Sequence, residues 1–220
     1  MKIKFSKNIC IISIILCVIS ITINILLIMN KEEKIYMDEN IVFFGDSITN
    51  RYKLDEYFSD HYVVNSGIGG DKTEDLLERL EKDVYKYNPS KVFLLIGIND
   101  LNHSIDEETV LKNIQKIITN IKLNREHTEI YVQSIYPLSH KEFDEHDYNF
   151  NRDVTNKRIK KINQKIEEIC IENDITYINV YDELLDEDGD LKSSYTVEGI
   201  HLSDLGYFKV TKVLENYIEK

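Results

Sequence analysis

The sequence predicts a three-layer α/β domain on a five-stranded parallel sheet, preceded by one transmembrane helix. Three observations predict it. Short apolar runs alternate with longer amphipathic stripes from residue 40 onward, the pattern of strands that pair in parallel through helical crossovers. The runs are apolar throughout rather than alternating, as in strands buried on both faces. Ahead of them, Ile9 to Met29 is mostly apolar and about the length that spans a bilayer.

Lys2, Lys4 and Lys7 precede that run and place residues 1–8 in the cytoplasm, which leaves the rest of the chain outside the membrane. No Ala-x-Ala cleavage pattern follows the run and no small residue precedes Cys10 or Cys17, so 9–29 reads as a signal-anchor. A cleaved signal peptide is the alternative, and both readings export the domain. Residues 30–39 are charged, lack an apolar period and read as a tether, with the domain over 40–220.

Asn40 to Phe44 is the first expected strand, followed by a short helix over Lys53 to Phe58. Tyr62 to Asn65 is the second strand, and Thr73 is expected to cap a helix carrying Leu76, Leu77 and Leu80. Lys91 to Ile96 is the third. A helix over Glu107 to Leu123 carries Val110, Ile114, Ile117, Ile118 and Ile121 on one stripe. Glu129 to Ile135 is the fourth strand, and 138–151 reads as a polar, irregular, solvated loop. A long helix turns Ile159, Ile162, Ile166 and Ile169 inward. Ile175 to Val180 is the fifth strand, and a last helix starts near Ser203.

The net charge of −12, with no basic stripe after the first residues, argues against nucleic acid as a partner. Three cysteines, two of them in the apolar run, imply neither a disulfide framework nor a metal pair.

Four polar signals fall at the carboxyl ends of strands, where open α/β sheets bind ligands: Ser47, the Gly69-Gly70-Asp71 turn, Asn99, and Glu198-Gly199-Ile200-His201. Singly, each has a bland reading as a cap or turn. Together they divide one chemistry among them. Serine attack needs a base, and His201 is the best placed of six histidines. A developing oxyanion needs donors, which the backbone of Ser47 and Gly70 and the amide of Asn99 can offer. Glycine at 70 lets the backbone approach a substrate without a Cβ.

These blocks resemble the SGNH (GDSL) hydrolases, a family named for Ser, Gly, Asn and His. Gly45-Asp46-Ser47 matches the serine block, Asn65 through Asp71 the glycine block, Gly97-Ile98-Asn99-Asp100 the asparagine block and Gly199-Ile200-His201-Leu202 the histidine block. The resemblance covers roughly 40 to 215 and implies a flavodoxin-like strand order with the serine at the topological switch point. It also implies a serine esterase in which Ser47 and His201 are catalytic and Ser47, Gly70 and Asn99 form the oxyanion hole. The Gly-x-Ser-x-Gly elbow of ordinary α/β-hydrolases is missing. The chain departs from the family at Glu198, where Asp is usual. Glutamate can still orient His201, giving a Ser-His-Glu triad, and a backbone carbonyl is the alternative.

No metal or cofactor is assigned. His140, Asp144, His146 and Asp147 lie in the expected solvated loop. Asp186, Asp188 and Asp190 read as an acidic turn, because no glutamate stands at the twelfth position of a calcium loop. His103 reads as a loop histidine at the rim. The expected substrate is a short-chain, acetylated small ester or envelope glycan. Longer acyl chains, as in a lysophospholipase or thioesterase, are the second reading, and an inactive glycan-binding module is the third.

Overall fold

The computed structural model describes residues 12–29 and 40–219. The chain divides into two compact units, Met1–Asp38 and Glu39–Lys220. In the first, one helix, Ile12–Met29, is long and apolar enough to cross a membrane. The expected cytoplasmic segment 1–8, residues 9–11 of the expected span and the whole of the expected tether (30–39) lie outside the described residues.

The second unit is a parallel five-stranded sheet in the order β2-β1-β3-β4-β5, flanked by helices. The strands are β1 (Ile41–Gly45), β2 (Val63–Gly67), β3 (Lys91–Leu95), β4 (Glu129–Gln133) and β5 (Thr176–Ile178). The principal helices are α1 (Ser47–Asn50), α2 (Leu54–Tyr57), α3 (Thr73–Glu78), α4 (Leu80–Asp83), α5 (Ile98–Asn102), α6 (Glu107–Asn124), α7 (His140–Glu145), α8 (Asn156–Glu172) and α9 (Asp204–Ile218). The expected order is therefore met. The chain turns from β1 outward to β2 and then back to β3 on the other side. The crevice between the carboxyl ends of β1 and β3 is the topological switch point.

Register explains the core. Phe43 on β1 lies opposite Phe93 on β3, which lies opposite Tyr131 on β4, so three rings stand in a row on one face of the sheet. Their centroids are 4.9 and 4.8 Å apart, and Tyr217 of α9 closes the row edge-on. Stacked aromatic pairs of this kind contribute about 1 kcal/mol each beyond their burial. On α6, all five residues of the expected stripe are buried. On α8, Ile159, Ile162 and Ile166 are buried, but Cys170 takes the inner place at the end and Ile169 is only partly covered.

Three expectations need correction. β2 runs on to Gly67 rather than stopping at Asn65, because Ser66 and Gly67 continue the pairing with Phe44 and Gly45. Thr73 is not a cap. Lys72 occupies that position, its N–H bonded to Asp75, while Thr73 turns inward and donates its N–H and Oγ1–H to the buried Asp100. The segment 138–151 is neither irregular nor simply solvated, since Ser139 caps the helix α7 and Leu138, Phe143 and Phe150 are buried.

Candidate active site

Ser47 and Asn99 owe their places to the ends of β1 and β3, whereas Glu198 and His201, expected at the end of β5, stand 20 and 23 residues beyond Ile178, in the loop before α9. Apolar β1 stops at Gly45, and Asp46 caps α1 by accepting the Ile48 N–H on Oδ1 at 2.9 Å. This puts Ser47 at the first turn of α1, above the edge of the sheet. The Ser47 Oγ lies 2.8 Å from His201 Nε2. On the far side of the imidazole, Nδ1 is in contact with Glu198 Oε1. For Nε2 to accept the serine proton, Nδ1 must carry the ring's own hydrogen and point it at Glu198.

The loop bearing Glu198 and His201 is closed by its own bonds. Thr196 Oγ1 donates to the His201 carbonyl and accepts the Gly199 N–H, both at 2.8 Å, and Val197 N–H also donates to the His201 carbonyl. Gly199, at φ +102°, lies so near α7 that a Cβ would stand 2.5 Å from the Ser139 carbonyl and 2.6 Å from Phe143. Glycine is required there on both counts. The Ser139 N–H donates to the Gly199 carbonyl at 2.9 Å, so α7 buttresses the histidine loop from behind.

On the opposite side stands Asn99, in the first turn of α5. Its Nδ2 donates to the Asp71 carbonyl at 2.9 Å, which fixes the amide plane and leaves the second amide hydrogen uncommitted. That carbonyl directly follows Gly70, whose φ of +86° calls for glycine, although an added Cβ would meet nothing within 4 Å. Glycine at position 70 is thus called for by its backbone conformation. His103 bonds the Asn99 carbonyl through Nδ1.

The structure thus brings Ser47, His201 and Glu198 into one hydrogen-bonded chain and ties Asn99 to the residue after Gly70. The remaining sequence candidates have local partners. His140 bonds the Val154 carbonyl, Asp144 pairs with Arg152, and His146 lies near Glu142. Asp186 Oδ1 accepts the N–H groups of Asp188 and Asp190 within its own turn. Among the described residues, no group of three or more His, Cys, Asp or Glu side chains is arranged to hold a metal ion.

Sequence reasoning missed the wall of the site. Tyr148 stands edge-on to His201, with ring centroids 6.2 Å apart, and stacks on Phe143. The available signal was Ser139-His140-Lys141-Glu142, which carries the S-x-x-E pattern of a helix start.

Asp46 is only 1% exposed, and its Oδ2 meets no donor. Burial pushes its carboxyl up to about 7, opposed by the Ile48 N–H and aided by repulsion from Asp100 and Asp71. Because the folded-state pKa is raised, this proton stabilises the fold fully below the ordinary 3.8, and the benefit is lost as pH rises through 7. Asp46→Asn keeps the cap but cannot ionise. Relative to wild type it should gain about 3 kcal/mol between about pH 5 and about pH 8 in denaturant unfolding. Parallel pH profiles for the two proteins would show that Asp46 does not titrate in that range.

Comparison with known proteins places the chain. Residues 43–208 match the GDSL-like Lipase/Acylhydrolase family. The structure of a Streptococcus pneumoniae protein described as a platelet activating factor superposes with a TM-score of 0.76 at 32% identity, covering 90% of this chain and 99% of that one. Platelet-activating factor acetylhydrolase IB subunit alpha2 of Rattus norvegicus is 25% identical over 188 residues, covering 82% of this chain and 76% of that protein. The N-acylneuraminate cytidylyltransferase of Streptococcus agalactiae is 27% identical over 186 residues. That match takes in 80% of this chain but only 40% of the relative, so the chain spans about two fifths of its length. With residues 43–208 matched and a parallel 2-1-3-4-5 sheet beneath them, the chain belongs to the GDSL-like lipase/acylhydrolase family.

Proposed function

We propose that the chain is a membrane-tethered, extracytoplasmic serine esterase that removes a short acyl group, acetate above all, from a small ester or an envelope glycan. The observation that carries this reading is the Ser47–His201–Glu198 chain at the sheet edge opposite Asn99. Ser47 Oγ attacks the ester carbonyl as its proton passes to His201 Nε2. Glu198 holds the imidazole by Nδ1–H and offsets the charge of the imidazolium. The N–H groups of Ser47 and Gly70 and the free amide hydrogen of Asn99 stabilise the oxyanion. Collapse of the tetrahedral species expels the alcohol, which takes the proton from His201. Water then attacks the acyl-serine as its proton passes to His201 Nε2, and collapse of the second tetrahedral species releases the carboxylic acid while Ser47 Oγ takes the proton back.

The name of the acetylhydrolase relative supports a short acyl group. A second reading, a lysophospholipase or thioesterase for longer chains, is favoured by two exposed apolar residues at the site. Ile68, just before Gly69-Gly70, is 43% exposed, and Val197, beside Glu198, is 53% exposed. The tether rests on the apolar helix Ile12–Met29, which a signal sequence would also explain.

A series of p-nitrophenyl esters from acetate to palmitate separates the two readings. On the first, kcat/KM should peak at acetate or propionate and fall at least tenfold by octanoate. A maximum at octanoate or beyond would move the assignment to longer acyl chains. In the same preparation, full-length chain is expected in the membrane fraction, and a shorter secreted form would indicate signal cleavage.

A further inference from the structure

Arg79, at the junction of α3 and α4, has 11% of its side chain exposed, and its guanidinium reaches the edge of the sheet. Nη2 donates to the Gly45 carbonyl at 2.9 Å and Nη1 to the Ser66 carbonyl at 2.9 Å. Nε donates to Asp71 Oδ2 at 2.7 Å, and Nη1 also reaches Asp83 Oδ2 at 3.2 Å. The guanidinium carbon lies 4.5 Å from the centre of the Phe44 ring, which fixes its plane. The Gly45, Ser66 and Asp71 acceptors are at the ends of β1 and β2 and in the turn beyond β2, while Asp83 is the last residue of α4. Ser47 comes two residues after Gly45, and Asp71 directly follows Gly70. The Asp71 carbonyl in turn holds Asn99 Nδ2, and a second tie joins Asp100, the neighbour of Asn99, to Thr73.

We propose that Arg79, acting through Asp71, is a positioning residue that sets the mutual geometry of the three oxyanion donors: Ser47 N–H, Gly70 N–H and Asn99 Nδ2. The inference rests on the reading of Ser47 as nucleophile given above. A planar fork can hold acceptors in three directions at once, whereas an ammonium on a flexible stem cannot. The Asp71 carboxylate is itself paired chiefly by this cation, so loss of the pair frees the turn that carries Gly70. Arg79 touches neither substrate nor the reacting atoms, so its effect is on the placement of donors. Displacement of such donors by a fraction of an ångström to 1 Å lowers rates by on the order of ten- to a hundredfold.

The test compares full-length wild type, Arg79→Lys and Asp71→Asn, each assayed well below its own melting temperature. The expected result is a ten- to hundredfold fall in kcat with KM within about threefold. Affinity for an alkyl boronic acid, which forms a tetrahedral adduct on the serine, should fall by the same factor as kcat. The pH at half-maximal kcat/KM should stay put, since Arg79 does not contact His201. A lowered Tm with kcat and boronate affinity within threefold of wild type would mean that Arg79 serves the fold alone and would overturn the proposal. Should Arg79→Lys fail to fold, Asp71→Asn decides between the same two outcomes. If Ser47→Ala retains turnover, the active-site reading itself fails; an essential Ser47 with a wild-type-like Asp71→Asn overturns only this inference.

Discussion

Alanine at Ser47 and alanine at His201 should each lower kcat about ten-thousandfold or more, and the double variant should fall little further. The two side chains share one hydrogen bond of 2.8 Å, so removing either disables the same step. Without His201, the hydroxyl must lose its proton to water; without Ser47, the imidazole has no nucleophile to serve. Residual turnover in all three variants would come from the oxyanion donors and binding alone. Independent contributions would instead make the double variant slower by the product of the two losses. Steady-state kinetics on one ester, with circular dichroism to confirm folding, distinguishes the outcomes.

Glu198→Gln should lower kcat by on the order of a hundredfold or more while the fold persists. The carboxylate has one oxygen against His201 Nδ1, and its other oxygen is buried without a donor. Gln removes the charge that offsets the imidazolium. It also offers an amide N–H that can face Nδ1 and stabilise the wrong tautomer. Glu198→Asp should keep appreciable activity, since aspartate is usual at this place in the family, though the shorter side chain must reach His201 from a loop whose backbone Thr196 holds in place. A change below about threefold for Glu198→Gln, with His201→Ala still inactive, would reduce the site to a Ser-His dyad.

The parts legible in the sequence are those set by local pattern. Phe43, Phe44, Phe93 and Leu94 announce their strands because both faces of β1 and β3 are covered, and the α6 stripe repeats at helical spacing without a break. Ser47 and Asn99 stand out because each lies within a few residues of a strand's end, and His201 because it sits just ahead of the last amphipathic helix. What was hidden depends on long-range contact. The burial of α7 comes from Phe143, with Leu138 and Phe150 flanking it from outside the helix, in a stretch that is otherwise polar. The inward turn of Thr73 is set by Asp100, 27 residues away, which no local capping rule can foresee. Arg79 carries no local signal of its contacts, because its partner Gly45 stands 34 residues earlier.

The identity of the nucleophile is tested most directly by treating the purified chain with a fluorophosphonate and mapping the adduct by mass spectrometry. One adduct is expected, on the peptide carrying Ser47, absent from Ser47→Ala and formed far more slowly in His201→Ala. Modification of a different serine, with Ser47 left free, would contradict the assignment of the site.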